Sequence, residues 1–452
     1  MKTNTSEKAT VMELDTAARL SPGSTQTIRP TPSVETFLSQ SIDSAYVSWK
    51  LQEQVFSEAD LDILARFLRS NARLTQHEKV RQFEVAFSGW QGCKRSVFVN
   101  SGSSANLVLV SALKELRGWR DGDEIIVPAV TWPTTITPVL QLGLKPVFAD
   151  INLNDLSFDY DRLAKHITPR TRAVFVAHLL GFPAEIPRLK DIVQGRSIDI
   201  LEDCCESLGA QCDGSKVGNL GIGGTFSFYW GHHLTTIEGG MICMDNEDLY
   251  KLCLLKRSHG LARELPPQYH RAIRTAEPDL DFKFLFLTDG YNVRNTELGA
   301  LMGLIQLDRL NRLIARRNRN YARFLAICKT YPDQLITVER SGMSSFCLPF
   351  LFRDREAKEE CERWLSASGI ETRPLISGNL LRQPFLRSYN RQGAFPNADF
   401  LHTNAFYIGN NQFVNEERLD VLDRLLARFF LNRSKHGPIE VPVNAMTKEA
   451  CP

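Results

Sequence analysis

Long apolar runs are missing from this sequence: nowhere do about 18 consecutive apolar residues occur, the length a membrane-spanning helix needs. A surplus of one charge is missing too, since 54 Lys and Arg face 52 Asp and Glu and leave a formal charge of +2. That mixture lacks the basic stripe by which a nucleic-acid binder is recognised. No two of the ten cysteines stand in C-x-x-C spacing, which argues against a zinc site and against a dense disulfide framework. The N-terminal stretch has no apolar segment of signal-peptide character, and no internal repeat is visible. These absences predict a cytoplasmic protein with neither a membrane nor a nucleic-acid partner, and with no metal.

What is present is an ordinary globular composition, 43% hydrophobic and 23% charged, in 452 residues. That length suits two or three packed units. Residues 1–44 form an expected N-terminal arm, rich in Ser, Thr and Pro as far as "LSPGSTQTIRPTPS". In "SEADLDILARFLRS", Ser57 is placed to cap a helix whose Leu61, Ile63, Leu64 and Leu68 would share one side. The runs "DEIIVPAV", "KPVFADI", "TRAVFVAHLL", "SIDILED", "TFSFYW" and "GGMICM" are apolar without polar alternation. Such runs suit strands of a sheet covered by helices on both faces, hence an α/β architecture. "TELGALMGLIQLDRLNRLIARRNRNYARFLA" reads as one long helix leading out of a large domain, 45–315, into a smaller C-terminal α+β domain, 316–430. Leu422, Leu425, Leu426 and Phe429 share a helical face near its end. Residues 431–452 are expected to be a tail.

Two segments bear on chemistry directly. In "VFVNSGSSANLVLVSALKEL" a strand, a Ser/Gly turn and an amphipathic helix converge. The free N–H groups at such a helix start form an anion site suited to a phosphate, although Ser103 there also fits a simple capping role. In "IDILEDCCESLGA" an apolar strand delivers Glu202 and Asp203 to its C-terminal end, where open α/β sheets place ligands. A carboxylate buried there calls for a cation, and a protonated pyridine nitrogen would serve.

The third segment is "SFYWGHHLTT", followed by Ile237-Glu238-Gly239-Gly240. With "VNSGSSANL", "PAVTWPTTITPVLQLGLKPVFAD", "ILEDCCESLGA" and "GYNVRNTELGALMGLIQL", it resembles the DegT/DnrJ/EryC1/StrS sugar-aminotransferase superfamily of fold-type I pyridoxal-phosphate enzymes. The likeness covers roughly residues 45 to 430 and implies a large domain with a mixed, mostly parallel sheet. It implies that Asp203 meets the cofactor's pyridine nitrogen and that Trp132 stacks on its ring, although an aromatic more often just fills a core. Gly102, Ser103 and Ser227 would hold the phosphate, and Glu206 belongs to the same cofactor-binding set. Asn292, in "GYN", would reach the phosphate of a neighbouring subunit, so the resemblance implies a homodimer with shared sites.

The family's lysine falls at His232, counting from Ser227. A lysine amine ties the cofactor aldehyde covalently; an imidazole cannot. With an ordinary pKa near 6.5, histidine keeps the other half of the task, moving a proton at neutral pH. The segment is similar to that of the nucleotide-sugar 3-dehydratases, which carry a histidine pair here and use pyridoxamine phosphate (PMP) rather than tethered pyridoxal phosphate (PLP). "GIETRPLISGNLLRQPF" resembles their substrate-binding stretch. Arg373 and Arg382 would then pair with a nucleotide diphosphate, with Asn379 and His233 also on the substrate side. Neighbours on an extended chain point to opposite sides, so His232 is expected as the base and His233 behind it.

Some such dehydratases hold an iron–sulfur cluster, which needs four thiolates. Cys205 matches one ligand, but after Cys253 the next cysteine is Cys328, so the close group is lacking. The resemblance therefore implies the branch whose cofactor is re-aminated by glutamate, acting on a nucleotide-linked 4-keto-6-deoxyhexose. Trp230-Gly231 departs from the Pro-Ala common in the dehydratases. Two other readings stand beside this one: a sugar aminotransferase, and a cofactor-binding homologue without catalysis that serves as a regulator or assembly partner.

Overall fold

The computed structural model describes residues 48–438, so the expected arm at 1–44 and the end of the tail lie outside the described residues. Each apolar run forms a strand. In chain order these are β1 (Arg95–Val99), β2 (Glu124–Pro128), β3 (Lys145–Ala149), β4 (Thr171–Ala177), β5 (Asp199–Asp203), β6 (Gly223–Ser227) and β7 (Gly240–Met244). They make one sheet in the order β1-β7-β6-β5-β4-β2-β3. β2 through β6 pair in parallel, while β7 runs antiparallel to both β1 and β6. This is the mixed, mostly parallel α/β sheet expected. All five residues of β2, of β6 and of β7 are buried, which is why these runs carry no polar alternation.

A second, antiparallel sheet follows from β8 (Leu335–Ile336), β9 (Cys347–Phe352), β10 (Thr372–Pro374) and β11 (Ala405–Gly409), in the order β8-β9-β11-β10. One apolar core runs from Leu109 and Phe175 at the first sheet to Phe350 and Phe406 in the second. The helix Glu416–His436 buries Leu422, Leu425, Leu426 and Phe429 as expected, and it continues past residue 430 into the segment read as tail.

Two helical expectations need correction. The long helix read from residue 296 onward is two helices, Glu297–Leu307 and Leu310–Cys328, separated at Asp308-Arg309. Ser57 does cap Glu58–Arg69, in a reciprocal box with Asp60. Of that helix's expected stripe only Leu64 is buried, with Leu61 and Leu68 38% and 49% exposed. Asp60 turns inward instead, because Arg309 pairs with it at 2.7 Å. Among the described residues no helix is long and apolar enough to cross a membrane.

Candidate active site

The C-terminal ends of β5 and β6 and the start of the helix Gly102–Arg117 open into a cavity of about 790 Å³, whose far wall comes from the second sheet. It is lined by Gly102, Ser103, Trp132, Asp203, Glu206, Ser227, His232 and Arg373, eight of the residues singled out in the sequence.

Asp203 ends β5 and is nearly buried. Its Oδ2 accepts from Asn106 Nδ2 at 2.9 Å and Thr135 Oγ1 at 2.7 Å, and its Oδ1 accepts from the Cys205 N–H at 3.1 Å. Three donors stabilise a buried charge. Among the described residues no Lys or Arg pairs with it, so the carboxylate is held ready for a cation in the cavity. Glu202, on the other face of the strand, is spent internally. Its carboxylate accepts from the N–H groups of Gly218, Leu220 and Gly221, and from His178 Nε2 at 3.0 Å. His178 Nδ1 accepts from the Ala184 N–H, so the ring proton sits on Nε2. Burial pushes the Glu202 carboxyl up, but the His178 hydrogen bond and these N–H groups hold it below the ordinary value. With Cys204 these two residues form the one compact ligand-type trio among the described residues. Both imidazole nitrogens and both carboxylate oxygens are already committed, which leaves that trio no open donor for an ion from His178 or Glu202.

The helix start is shaped for an anion. Ser101, not Ser103, is the cap, its hydroxyl accepting from the Ser104 N–H at 3.0 Å. Ser103 is thereby released from capping and stands exposed at the cavity. Gly102 permits the approach of β6, since a Cβ there would lie 2.7 Å from the Ser227 Cβ. Trp132 is 55% exposed on the wall, which excludes the role of core filler. Glu206 accepts only the Leu180 N–H among the described bonds. Burial chiefly, and then the charge of Asp203, lift its carboxyl to about 8. At neutral pH this group is a donor.

His232 lies in a turn closed by its own N–H on the Tyr229 carbonyl at 3.0 Å, not on extended chain as the sequence argument assumed. The two histidine rings still part. His232 lines the cavity, and its Nδ1 is buried with no partner. His233 is turned inward, where Nε2 meets the Ser345 carbonyl at 3.0 Å, and it does not line the cavity. The turn sends that ring into the protein, behind the cavity wall. Burial first, and the charge of Arg317 second, push His232 down to about 3 and His233 well below the ordinary value. Both imidazoles are neutral at physiological pH.

Arg373 lines the cavity and pairs with Glu371 at 2.9 Å, while Glu371 also accepts the Leu51 N–H. Arg382 and Asn379 do not line it; both bind the Asp399 carboxylate, at 2.8 Å and 2.9 Å. Asp399 is carried by the helix Pro396–Asn404, which packs beside this stretch. Asn292 is exposed, accepts from Arg294 Nε at 3.1 Å and does not line this chain's cavity.

The sequence reading missed Arg317 and Phe346. Arg317 is buried, donates from Nη1 to the Phe346 carbonyl at 2.9 Å, and has no carboxylate partner among the described residues. A signal existed: Leu310, Arg317, Tyr321 and Phe324 are all buried on one helix at spacings of seven, four and three. An arginine on that stripe faces inward.

A family model for the DegT/DnrJ/EryC1/StrS aminotransferase family matches residues 56–425. The chain belongs to this family. A GDP-4-keto-6-deoxy-D-mannose 3-dehydratase of Yersinia pseudotuberculosis is 34% identical over 389 residues, covering 84% of this chain and 99% of that protein. A crystal structure of a GDP-4-keto-6-deoxymannose 3-dehydratase, a histidine-to-asparagine mutant with bound GDP-perosamine, matches with a TM-score of 0.78 at 34% identity. The match covers 84% of this chain and all of that one. A further structure of such a dehydratase, with a trapped PLP-glutamate geminal diamine, matches with a TM-score of 0.76 at 33% identity over 84% of this chain and 100% of the other. The fold is thus that of the fold-type I pyridoxal-phosphate transferases.

Proposed function

We propose that this protein is a PMP-dependent 3-dehydratase, removing the C3 hydroxyl of a nucleotide-linked 4-keto-6-deoxyhexose while glutamate restores the cofactor's amine. The observation that carries this reading is the cavity wall at residue 232, where a neutral histidine stands and no lysine lines the cavity among the described residues. The site fits a phosphorylated pyridine: a fixed carboxylate without a cation faces a helix start that glycine opens to an anion. When bound, the cofactor supplies an amine to condense with the sugar ketone and a ring that accepts electrons.

The chain's own residues divide the remaining work. Asp203 would keep the pyridine nitrogen protonated by its charge, and Gly102, Ser103 and Ser227 would hold the phosphate. Trp132 would cover the ring, and Glu206, which lines the same wall, would help to hold it. His232 takes a proton at the cavity and returns it to the departing hydroxyl oxygen, and Arg373 receives the diphosphate. The same reading treats residues 45–315 as the cofactor-holding domain and 316–430 as the smaller one. It places Asn292 at the phosphate of a second subunit in a cytoplasmic homodimer.

The test is turnover of 4-keto sugar nucleotides, beginning with the GDP-linked hexose, in the presence of glutamate and PMP. A 3-deoxy product by mass supports the proposal. An amino sugar would make the protein an aminotransferase, and cofactor binding without turnover of any member of the panel would make it a non-catalytic homologue.

A further inference from the structure

Away from the cavity, two thiols and two hydroxyls meet where the chain enters β1. The helix Glu78–Gln91 ends at Gly92, whose φ of 89° turns the backbone so that Cys93 falls beside the strand. Cys93 Sγ donates to the Arg95 carbonyl at 3.3 Å and lies 3.6 Å from Ser96 Oγ. Ser96 is paired in register with Cys243 on β7, and its Oγ is 3.4 Å from Cys243 Sγ and 2.7 Å from Ser88 Oγ. Cys243 is fully buried. Cys93 is half-buried on the wall of a second cavity of about 300 Å³, which Asn219, Gly223 and Asp245 also line. An accessible thiol therefore has an inaccessible one behind it, and the Ser96 hydroxyl reaches both.

The surroundings favour the thiolate on the outer member. The Cys243 hydrogen bond foremost, and then the Ser96 and Ser88 hydroxyls, pull Cys93 down to about 6 against the effects of burial and of Asp245. Lys216, held over the Trp90 ring at 4.0 Å, adds positive charge on this side. Burial raises the Cys243 thiol well above its ordinary value. A low-lying, partly exposed thiol is reactive, and a buried, protonated one is inert until its partner changes.

We propose that Cys93 and Cys243 are a peroxide-reactive thiol pair, Cys93 attacking and Cys243 resolving. The Cys93 thiolate attacks one oxygen of hydrogen peroxide, the O–O bond breaks, and hydroxide leaves to be protonated as water, with a sulfenic acid on Cys93. Cys243 sulfur then displaces the hydroxyl from that sulfur; its own proton leaves with it as a second water, and the S–S bond forms. Two thiols and one peroxide give one disulfide and two waters. This chemistry is independent of the dehydratase reading.

The experiment uses the full-length protein, treated with equimolar hydrogen peroxide, alkylated and mapped by peptide mass. Expected are the loss of two hydrogens from the intact mass, a linked pair of peptides containing Cys93 and Cys243, and, before oxidation, faster iodoacetamide labelling at Cys93 than at Cys205 near neutral pH. Cys243→Ser should stop the reaction at a sulfenic acid on Cys93 that dimedone traps, and Cys93→Ser should leave Cys243 unoxidised. A disulfide from Cys93 to any other cysteine, a wild-type sulfenic acid that persists, or labelling of Cys93 no faster than of Cys205 would overturn the pairing.

Discussion

The imidazole of His232 meets the ring of Phe346 at a steep angle, with centroids 5.2 Å apart, and His233 approaches the same phenyl at 6.0 Å. One aromatic side chain thus touches both a histidine on the cavity and a histidine in the protein. His232→Asn should abolish measurable dehydration, a loss of roughly 10²–10⁴ for a positioned base, while PMP still binds. His233→Asn breaks a buried hydrogen bond to Ser345 and should cost about 1–3 kcal/mol of stability with a much smaller effect on turnover. Steady-state assays, PMP titration and thermal melts check this pair. The reverse order of activity loss would move the base to residue 233.

Arg317 anchors the Phe346 carbonyl and places an unneutralised charge beside both histidines. A group lowered to about 3 takes up its proton only in acid, so His232 should impose no acid limb on the rate near neutrality. Asp203, Glu206, Glu238, Glu371 and Arg373 are the other charged groups on the same cavity wall, and Tyr229 meets the His232 ring. In Arg317→Met the His232 pKa should rise from about 3 only in part, because burial, the larger cause, remains, and the acid limb of the pH–rate profile should move up by that amount. Arg317→Lys should keep the flat profile. A purely structural arginine would lower the rate equally at every pH.

Glu206 has the opposite sign. Its carboxyl is raised to about 8 in the folded chain, so the folded state holds a proton that the unfolded state releases near the ordinary value of a glutamate. The stability this contributes is full in acid and is lost as pH rises through about 8. Melts of the cofactor-free protein should therefore show wild type falling behind Glu206→Gln as pH rises from about 4.5 to about 8 and keeping a constant gap above that, and PMP affinity should decline through about pH 8 only where Glu206 is present. Parallel curves for the two proteins between about pH 4.5 and 8 would show that the carboxyl is already ionised at neutral pH.

Much of this was legible in the sequence, for physical reasons that differ by residue. The strands were visible because both faces of β2, β6 and β7 are covered, and Asp203 because a strand end is where such sheets hold ligands. His232 followed from register alone, although the local argument for extended chain fails in a turn. That Arg382 and Asn379 bind Asp399 was not legible, because an arginine's partner cannot be read from its own segment; Asp399 lies on a helix further along the chain. His178 was missed for the same reason, since its role depends on Glu202 in the neighbouring strand β5 and on the Ala184 N–H.

The absent lysine yields the last expectation. The nearest lysine in the sequence to this turn, Lys216, donates to the Trp90 carbonyl and lies over the Trp90 ring, away from the cavity wall. Wild-type protein should accordingly release its cofactor on dialysis, and borohydride should fix none of it to any lysine. In His232→Lys the new amine would enter a site where burial and Arg317 both disfavour a positive charge, which leaves it uncharged and nucleophilic. That variant should hold the cofactor covalently, yield a borohydride-fixed peptide at position 232, and shift the product from the 3-deoxy sugar toward an amino sugar. A reduced lysyl adduct in active wild-type protein, at Lys216 or elsewhere, would show that the cofactor is tethered after all and would remove the reason for assigning proton transfer to His232.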